Sequence, residues 1–295
     1  AIYVTDDNAS QLINQGFQTG SNVNTTGLVR TYYETGRDMS TMQATLVPTL
    51  LRFGDVFQYY LQTSAYPQFI EPLTSDQFSA LRGTNLLNFP DILYTDGAPV
   101  TNPVVLGPLQ VGLIYIIIVT FFQFMWFIKL NTIIGKATDA KDYIIYRMLA
   151  SQVTFLFLSL AFTCLNAAFQ IPMNNSWSGG FGVMWMISYL TMSAVGGANE
   201  NIALIAFATL PPFFGFWLLF FVMINISGTF SPLELCPGFY KFTFAMPIKN
   251  GYELMKVLIF NTTRKHIGRQ FGILIAWIVL NNLLLPFCLI FFAER

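Results

Sequence analysis

Apolar residues run almost unbroken through five stretches, about 106–128, 146–169, 181–198, 202–226 and 270–292. Each meets or approaches the roughly 17–25 residues a helix needs to cross a bilayer. Each therefore predicts a membrane span. Pro211 and Pro212 fall inside the fourth run and predict a kink, tolerated where neighbouring helices satisfy the freed carbonyls. The Asn-Glu-Asn run at 199–201 reads as a tight turn between the third and fourth spans. Before residue 104 the pattern changes. Residues 1–5 read as a short strand, followed by a turn and a helix that Asp6, Asp7 or Asn8 would cap. Residues 27–33 alternate well enough for a second strand. Met39, Met42, Leu46, Leu50, Phe53 and Phe57 recur near helical spacing, with Pro48 expected to kink or split that helix. Residues 65–104 read as loop-rich. The prediction is a small α/β domain over 1–103 and a helical membrane domain over 104–295.

The stretch between the last two runs breaks the pattern. Residues 227–269 carry several prolines, six basic residues and two glutamates, too long for a hairpin and too apolar for a free loop. Pro247 suits the first position of a helix. Lys249, Glu253 and Lys256 then share one face, and Ile248, Tyr252, Met255 and Ile259 the other. The spacing predicts an amphipathic helix at the membrane surface or on other spans, within outer interfacial helices over 232–261.

Composition agrees with a membrane protein: 54% hydrophobic and 10% charged residues, against about 25% charged in soluble domains. Residues 1–103 hold four Arg, no Lys and nine Asp or Glu, a charge of −5 that the remainder balances. The basic residues fall on both sides of the spans and do not orient the chain. The sequons do so better, at Asn8, Asn24, Asn174, Asn225 and Asn261. All five fall on the side of the N-terminal domain, which places it outside the cell or in a lumen. Asn225 is too near a span for use, leaving Asn8, Asn24, Asn174 and Asn261 as glycosylation candidates.

Gly228, Pro232, Glu234, Leu235, Pro237 and Pro247 form a Gly-x-x-x-Pro-x-Glu-Leu-x-Pro element and a Met-Pro element. With the amphipathic helix and last span that follow, this resembles the membrane domain of ABC-2-type exporters. The opening residues, AIYVTDDNAS, resemble the start of the ectodomain in the phage-infection-protein-like branch. The order of domain and spans is similar to the fungal nitrosoguanidine-resistance proteins of that branch. The resemblance implies a polytopic α-helical membrane protein with an α/β ectodomain, lying in the plasma membrane or an endomembrane. It also implies links to drug resistance and membrane-lipid organisation, no nucleotide-binding domain, and a further span upstream of Ala1.

The chemistry-bearing residues are few. His266 is the one histidine, and no metal cluster, nucleophile–base pair or phosphate-binding glycine loop stands out, so the expectation is a non-enzyme without cofactor or metal. Arg264, Lys265 and Arg269 precede the last span as interfacial anchors, or as contacts to lipid phosphates. Glu200 reads as a solvated turn residue, or as a functional acid near membrane depth. Gln110, Gln123, Gln152, Asn166, Asn281 and Asn282 are expected to bond across helices. The small residues Ser193, Ala194, Gly196, Gly197 and Ala198 are expected to let helices approach closely. Membrane lipids are the expected partners, with a second copy or a larger membrane complex, and no nucleic acid. Two functions follow: a non-catalytic partner or lipid-organising protein, or an ABC-2-like transporter of a lipid or drug amphiphile without its own ATPase.

Overall fold

A computed structural model describes residues 2–5, 8–20, 22–23, 25, 27–82, 84 and 92–293. Asp6, Asp7 and Asn24 lie outside the described residues. The chain divides into two units, Ala1–Pro99 and Val100–Arg295.

The first unit is a three-stranded sheet with helices. Strand β1 (Ile2–Thr5) pairs antiparallel with β2 (Val29–Tyr33), which pairs parallel with β3 (Ile92–Asp96). Helix α1 (Ala9–Thr19) ends on Gly20, whose positive φ of 63° suits a residue without a side chain. A long helical run, α2 (39–70), contains two wide π turns, Met42–Leu46 and Leu61–Ala65. Each precedes a proline closely, Pro48 and Pro67. Proline lacks the N–H that would close an α turn, and the wider turn carries the run past it. The expected split at Pro48 is thus a π turn. The region read as loop-rich holds helix α3 (Ser75–Leu81) and strand β3. A reciprocal capping box of Thr74 and Gln77 starts α3, with the Thr74 N–H donating to Gln77 Oε1 at 3.0 Å. Phe17, Tyr66 and Leu81 form its buried core, with Phe17 stacked on Phe69.

The second unit is a helical bundle around one central helix. Its helices are α4 (Gly112–Ala137), α5 (Ala140–Ala168), α6 (Gly180–Thr209), α7 (Phe213–Ile226), α8 (Pro247–Phe260) and α9 (Ile267–Ala293). Among the described residues, four helical segments are long and apolar enough to cross a membrane: Pro103–Trp126, Ala140–Ala168, Gly180–Thr209 and Ile267–Ala293. A shorter apolar segment covers Phe213–Thr229.

The boundary expected at 199–201 is absent. Helix α6 runs through Asn199, Glu200 and Asn201 and stops at Thr209. Proline disfavours helical backbone in the residue before it, so Leu210 turns out of the helix ahead of Pro211 and Pro212. The expected spans 181–198 and 202–226 are therefore one 30-residue helix and one 14-residue helix.

Helix α8 also differs from expectation. Every residue from Pro247 to Phe260 except Glu253 is buried, including Lys249 and Lys256. Gly251 lets α8 lie directly against Thr191 of α6. Helices α7 and α8 both run antiparallel to α6. Trp217 of α7 lies level with Asn199, Gly251 of α8 with Thr191, and the end of α8 with the loop before α6. The two short helices thus climb beside α6 in series, and residues 227–246 form the step between them.

Candidate functional site in the helical bundle

Three consecutive residues of α6 reach three different directions, because each step along a helix turns by about 100°. Asn199 faces α4 and α7: its Nδ2 donates to Thr120 Oγ1 at 3.4 Å, and its Oδ1 accepts from Trp217 Nε1 at 3.2 Å. Glu200 faces α5, where Arg147 Nη2 donates to Oε1 and Ser151 Oγ donates to Oε2 at 2.7 Å. Asn201 faces α9 and donates to the Asn281 carbonyl at 3.0 Å. Asn281 returns a bond to the Ala194 carbonyl at 2.8 Å. One polar layer therefore ties α6 to four other helices.

Burial makes this layer expensive to disturb. Arg147 and Glu200 are each 4% exposed, and the Arg147 guanidinium also lies over the Phe124 ring at 5.7 Å. Two charges out of water persist only as a close, hydrogen-bonded pair. Glu200 is therefore a buried ion-pair partner, and the solvated-turn reading is corrected. Periodicity missed Arg147, because an arginine at the edge of an apolar run reads as an end anchor.

Neighbouring turns of α6 use small residues and hydroxyls. A side chain at Gly196 would strike the Phe155 ring, and one at Gly197 would meet Asn281 Cβ at 2.8 Å. Gln152 Oε1 accepts from Tyr189 at 3.0 Å and from Ser193 at 2.6 Å. The small-residue run is thus spent on packing within the chain. Asn166 bonds back to its own helix, at the Phe162 carbonyl.

The charged residues of α8 close on themselves. Lys249 and Lys256 hold the two Glu253 oxygens at 2.7 and 3.0 Å, and both ammonium groups lie over the Tyr252 ring. This self-pairing is what allows the expected wet face to be buried. Burial alone would push the Glu253 carboxyl up, but the Lys256 and Lys249 ammonium groups outweigh it and hold it below the usual carboxylate range. A carboxylate with a lowered folded-state pKa stabilises the fold above its unfolded pKa, and that contribution is lost as pH falls through the folded value. Melting temperature in detergent should therefore fall more steeply on acidification in the parent than in Glu253→Gln. Equal slopes would remove Glu253 as a source of acid sensitivity.

The remaining site candidates gather near the start of α9. Arg264 donates to the Ser176 carbonyl at 2.8 Å and Asn261 Oδ1 at 2.9 Å, and stacks over Trp177 at 4.9 Å. It latches the loop before α6 to the end of α8. Lys265 and His266 are exposed, and exposed Arg269 lies over Phe244 at 5.4 Å. Asn174 and Asn261 are exposed at this same end of the bundle, and Asn8 is exposed in the first unit. Asn225 is fully buried and donates to the Phe221 carbonyl. Cys236 is half-buried, Cys164 exposed and Cys288 buried. Among the described residues no group of three His, Cys, Asp or Glu is placed to hold a metal ion.

A family model described as "Protein of unknown function (DUF3533)" matches residues 1–283. The chain belongs to the DUF3533 family. An uncharacterized endoplasmic reticulum membrane protein of Saccharomyces cerevisiae is 35% identical to this DUF3533 chain over 271 residues, 90% of the chain and 53% of the yeast protein. The chain thus spans about half the length of that relative. No solved structure matches. The family's description and the yeast protein's name mention neither nitrosoguanidine resistance nor an ABC-2 exporter. Four long apolar helices and a membrane-protein relative make this DUF3533 chain a multi-pass helical membrane protein.

Proposed function

We propose that this protein is a non-catalytic scaffold that organises lipids around a rigid helical bundle. One observation carries the reading. The polar side chains of the central helix and its neighbours bond helix to helix, from Thr120 through Glu200 to Asn281, so they brace the bundle. A transporter needs such groups to meet its cargo. The outer face of α5 exposes the apolar side chains of Ile145, Leu149 and Val153, which acyl chains can cover. The ABC-2-like transporter remains the second reading, favoured by Gln123 Oε1 and Asn201 Oδ1. Both are buried without a hydrogen-bond partner among the described residues.

The test is reconstitution of the purified protein into liposomes carrying fluorescent lipid analogues and a fluorescent amphiphilic drug. Leaflet exchange and efflux at the rate of protein-free liposomes, with lipid co-purifying, support the scaffold. Faster exchange or efflux would replace it with the transporter. The link to drug resistance is then indirect, through the composition and order of the membrane.

We further propose the endoplasmic reticulum membrane, the membrane named for the yeast relative, with the N-terminal unit in the lumen on the side of the sequons. Helices α4, α5, α6 and α9, with α7 and the step that follows it, make five crossings, and α8 lies beyond them on the luminal side. Cysteines at Ala137 and Ser178, both exposed, probe the two ends in a variant without native cysteines. In sealed microsomes an impermeant thiol reagent should label Ala137→Cys at once and Ser178→Cys only after permeabilisation. The reverse pattern would invert the topology.

A further inference from the structure

The step between α7 and α8 leaves aromatic and cationic groups facing outward. Phe230, Leu235 and Phe239 are exposed, Phe239 at 77%, beside the 3₁₀ helix Gly238–Ala245. Residues three apart eclipse in such a helix, so Lys241 lies on the same side as Phe244. The Arg269 guanidinium of α9 covers that Phe244 ring. Lys241 and Arg269 are both exposed, the first one turn of the 3₁₀ helix before the ring that the second covers. Trp277 anchors the step from below, donating to the Ala245 carbonyl at 2.7 Å.

Depth along α9 places this group at a membrane boundary. At 1.5 Å per residue, Trp277 lies about 24 Å from Ala293 and Arg269 about 36 Å. An apolar core of about 30 Å ends between them, with the indole on the apolar side and the guanidinium on the wet side. Three other cations at this end are engaged within the protein: Lys249 and Lys256 with Glu253, and Arg264 with Ser176 and Asn261. The carboxylate of Glu234 is exposed on the same step, two residues beyond Pro232. Lys241, Lys265 and Arg269 outnumber it on the exposed rim.

We propose that Lys241 and Arg269 form a docking surface for the phosphate of anionic phospholipids, with Phe239 and Leu235 inserted among the acyl chains. The occupant follows from charge and depth together: Arg269 at headgroup level, a second exposed cation on the same step, and exposed apolar side chains beside them. This inference rests on the lipid-organising reading and names the lipid class that reading lacks.

The test places the full chain in nanodiscs containing a small fraction of brominated phosphatidylserine or brominated phosphatidylcholine, and reads tryptophan quenching. Trp277 reports from beneath the site. The parent should prefer the anionic lipid by about fivefold or more at low salt. Lys241→Gln with Arg269→Gln should bring the preference close to one, while Lys136→Gln, also exposed, leaves it unchanged. Raising salt to about 0.5 M should erase the preference in the parent, a readout that needs no variant. Equal quenching by both lipids, or a preference that survives the double substitution, would overturn the proposal. Loss of the preference on adding millimolar inorganic phosphate at constant ionic strength would also overturn it, in favour of a soluble-anion site. Lipid or drug transport by the parent would sink the scaffold reading alone, since the preference is measured at equilibrium.

Discussion

Replacing Glu200 by alanine is expected to cost about 3–5 kcal/mol, because it strands a buried guanidinium. Arg147 is 4% exposed, and Glu200 is its carboxylate partner. Ser151 would also lose the oxygen to which it donates. The expected result is a sharp loss of monodisperse protein after extraction in mild detergent, with a lower melting temperature for what survives. Arg147→Met combined with Glu200→Leu should recover much of the loss, since removing both charges spares the desolvation cost that removing one exposes. Equal losses in the single and double variants would show that packing around residue 200, and not its charge, holds α5 to α6. Glu200→Gln separates the two proposed functions. Stability falls under either reading, because Arg147 loses its carboxylate, but a scaffold brace keeps its lipid contacts whereas a coupling acid loses transport.

The spans were legible where apolar residues meet only lipid or other apolar residues. The runs about 106–128, 146–169 and 270–292 correspond to helices that extend further at one or both ends. Reading failed where polar residues are satisfied by partners distant in sequence. Asn199, Glu200 and Asn201 look like a turn because three polar residues in succession ordinarily need water. Here α4, α5, α7 and α9 supply what water would. Glu200 could be flagged as a candidate acid from its place between apolar runs, but its partner lies 53 residues away and has no local signature.

The same limit explains α8. Its two faces differ in sequence as a surface helix requires, yet both are enclosed. Lys249, Glu253 and Lys256 neutralise one another at spacings of four and three, so the charged face carries its own counter-ions. Lys256→Asp, harmless on a wet face, should therefore be damaging, because it sets two carboxylates together beside one lysine. In the N-terminal unit, the Thr74–Gln77 capping box and the strand at Ile92–Asp96 were readable signals hidden by the surrounding prolines.

Gly251→Ala is expected to destabilise the bundle by about 1–3 kcal/mol, the usual cost of inserting a methyl group where there is no room. An added Cβ would collide with Thr191 Oγ1 and lie 2.9 Å from its Cγ2. Neither atom can swing freely, because Thr191 is fully buried and its hydroxyl donates to the Ile187 carbonyl at 2.8 Å. The backbone of α8 must then move away from α6. That movement strains the bonds from Asn175 and Ser176 to the last carbonyls of α8. Thr191→Ala removes the two nearest atoms and leaves the Cβ at 3.2 Å, a contact that a small shift relieves. Gly251→Ala with Thr191→Ala should therefore melt closer to the Thr191→Ala parent than Gly251→Ala does to the unmodified protein. Hydrogen exchange over 247–260 should rise in the single variant and return toward its original protection in the pair. If the pair melts as low as the sum of its members, the close approach of α8 to α6 is not what Gly251 provides. Helix propensity then predicts the opposite sign for an interior glycine, since alanine is favoured by about 1 kcal/mol when no neighbour intrudes.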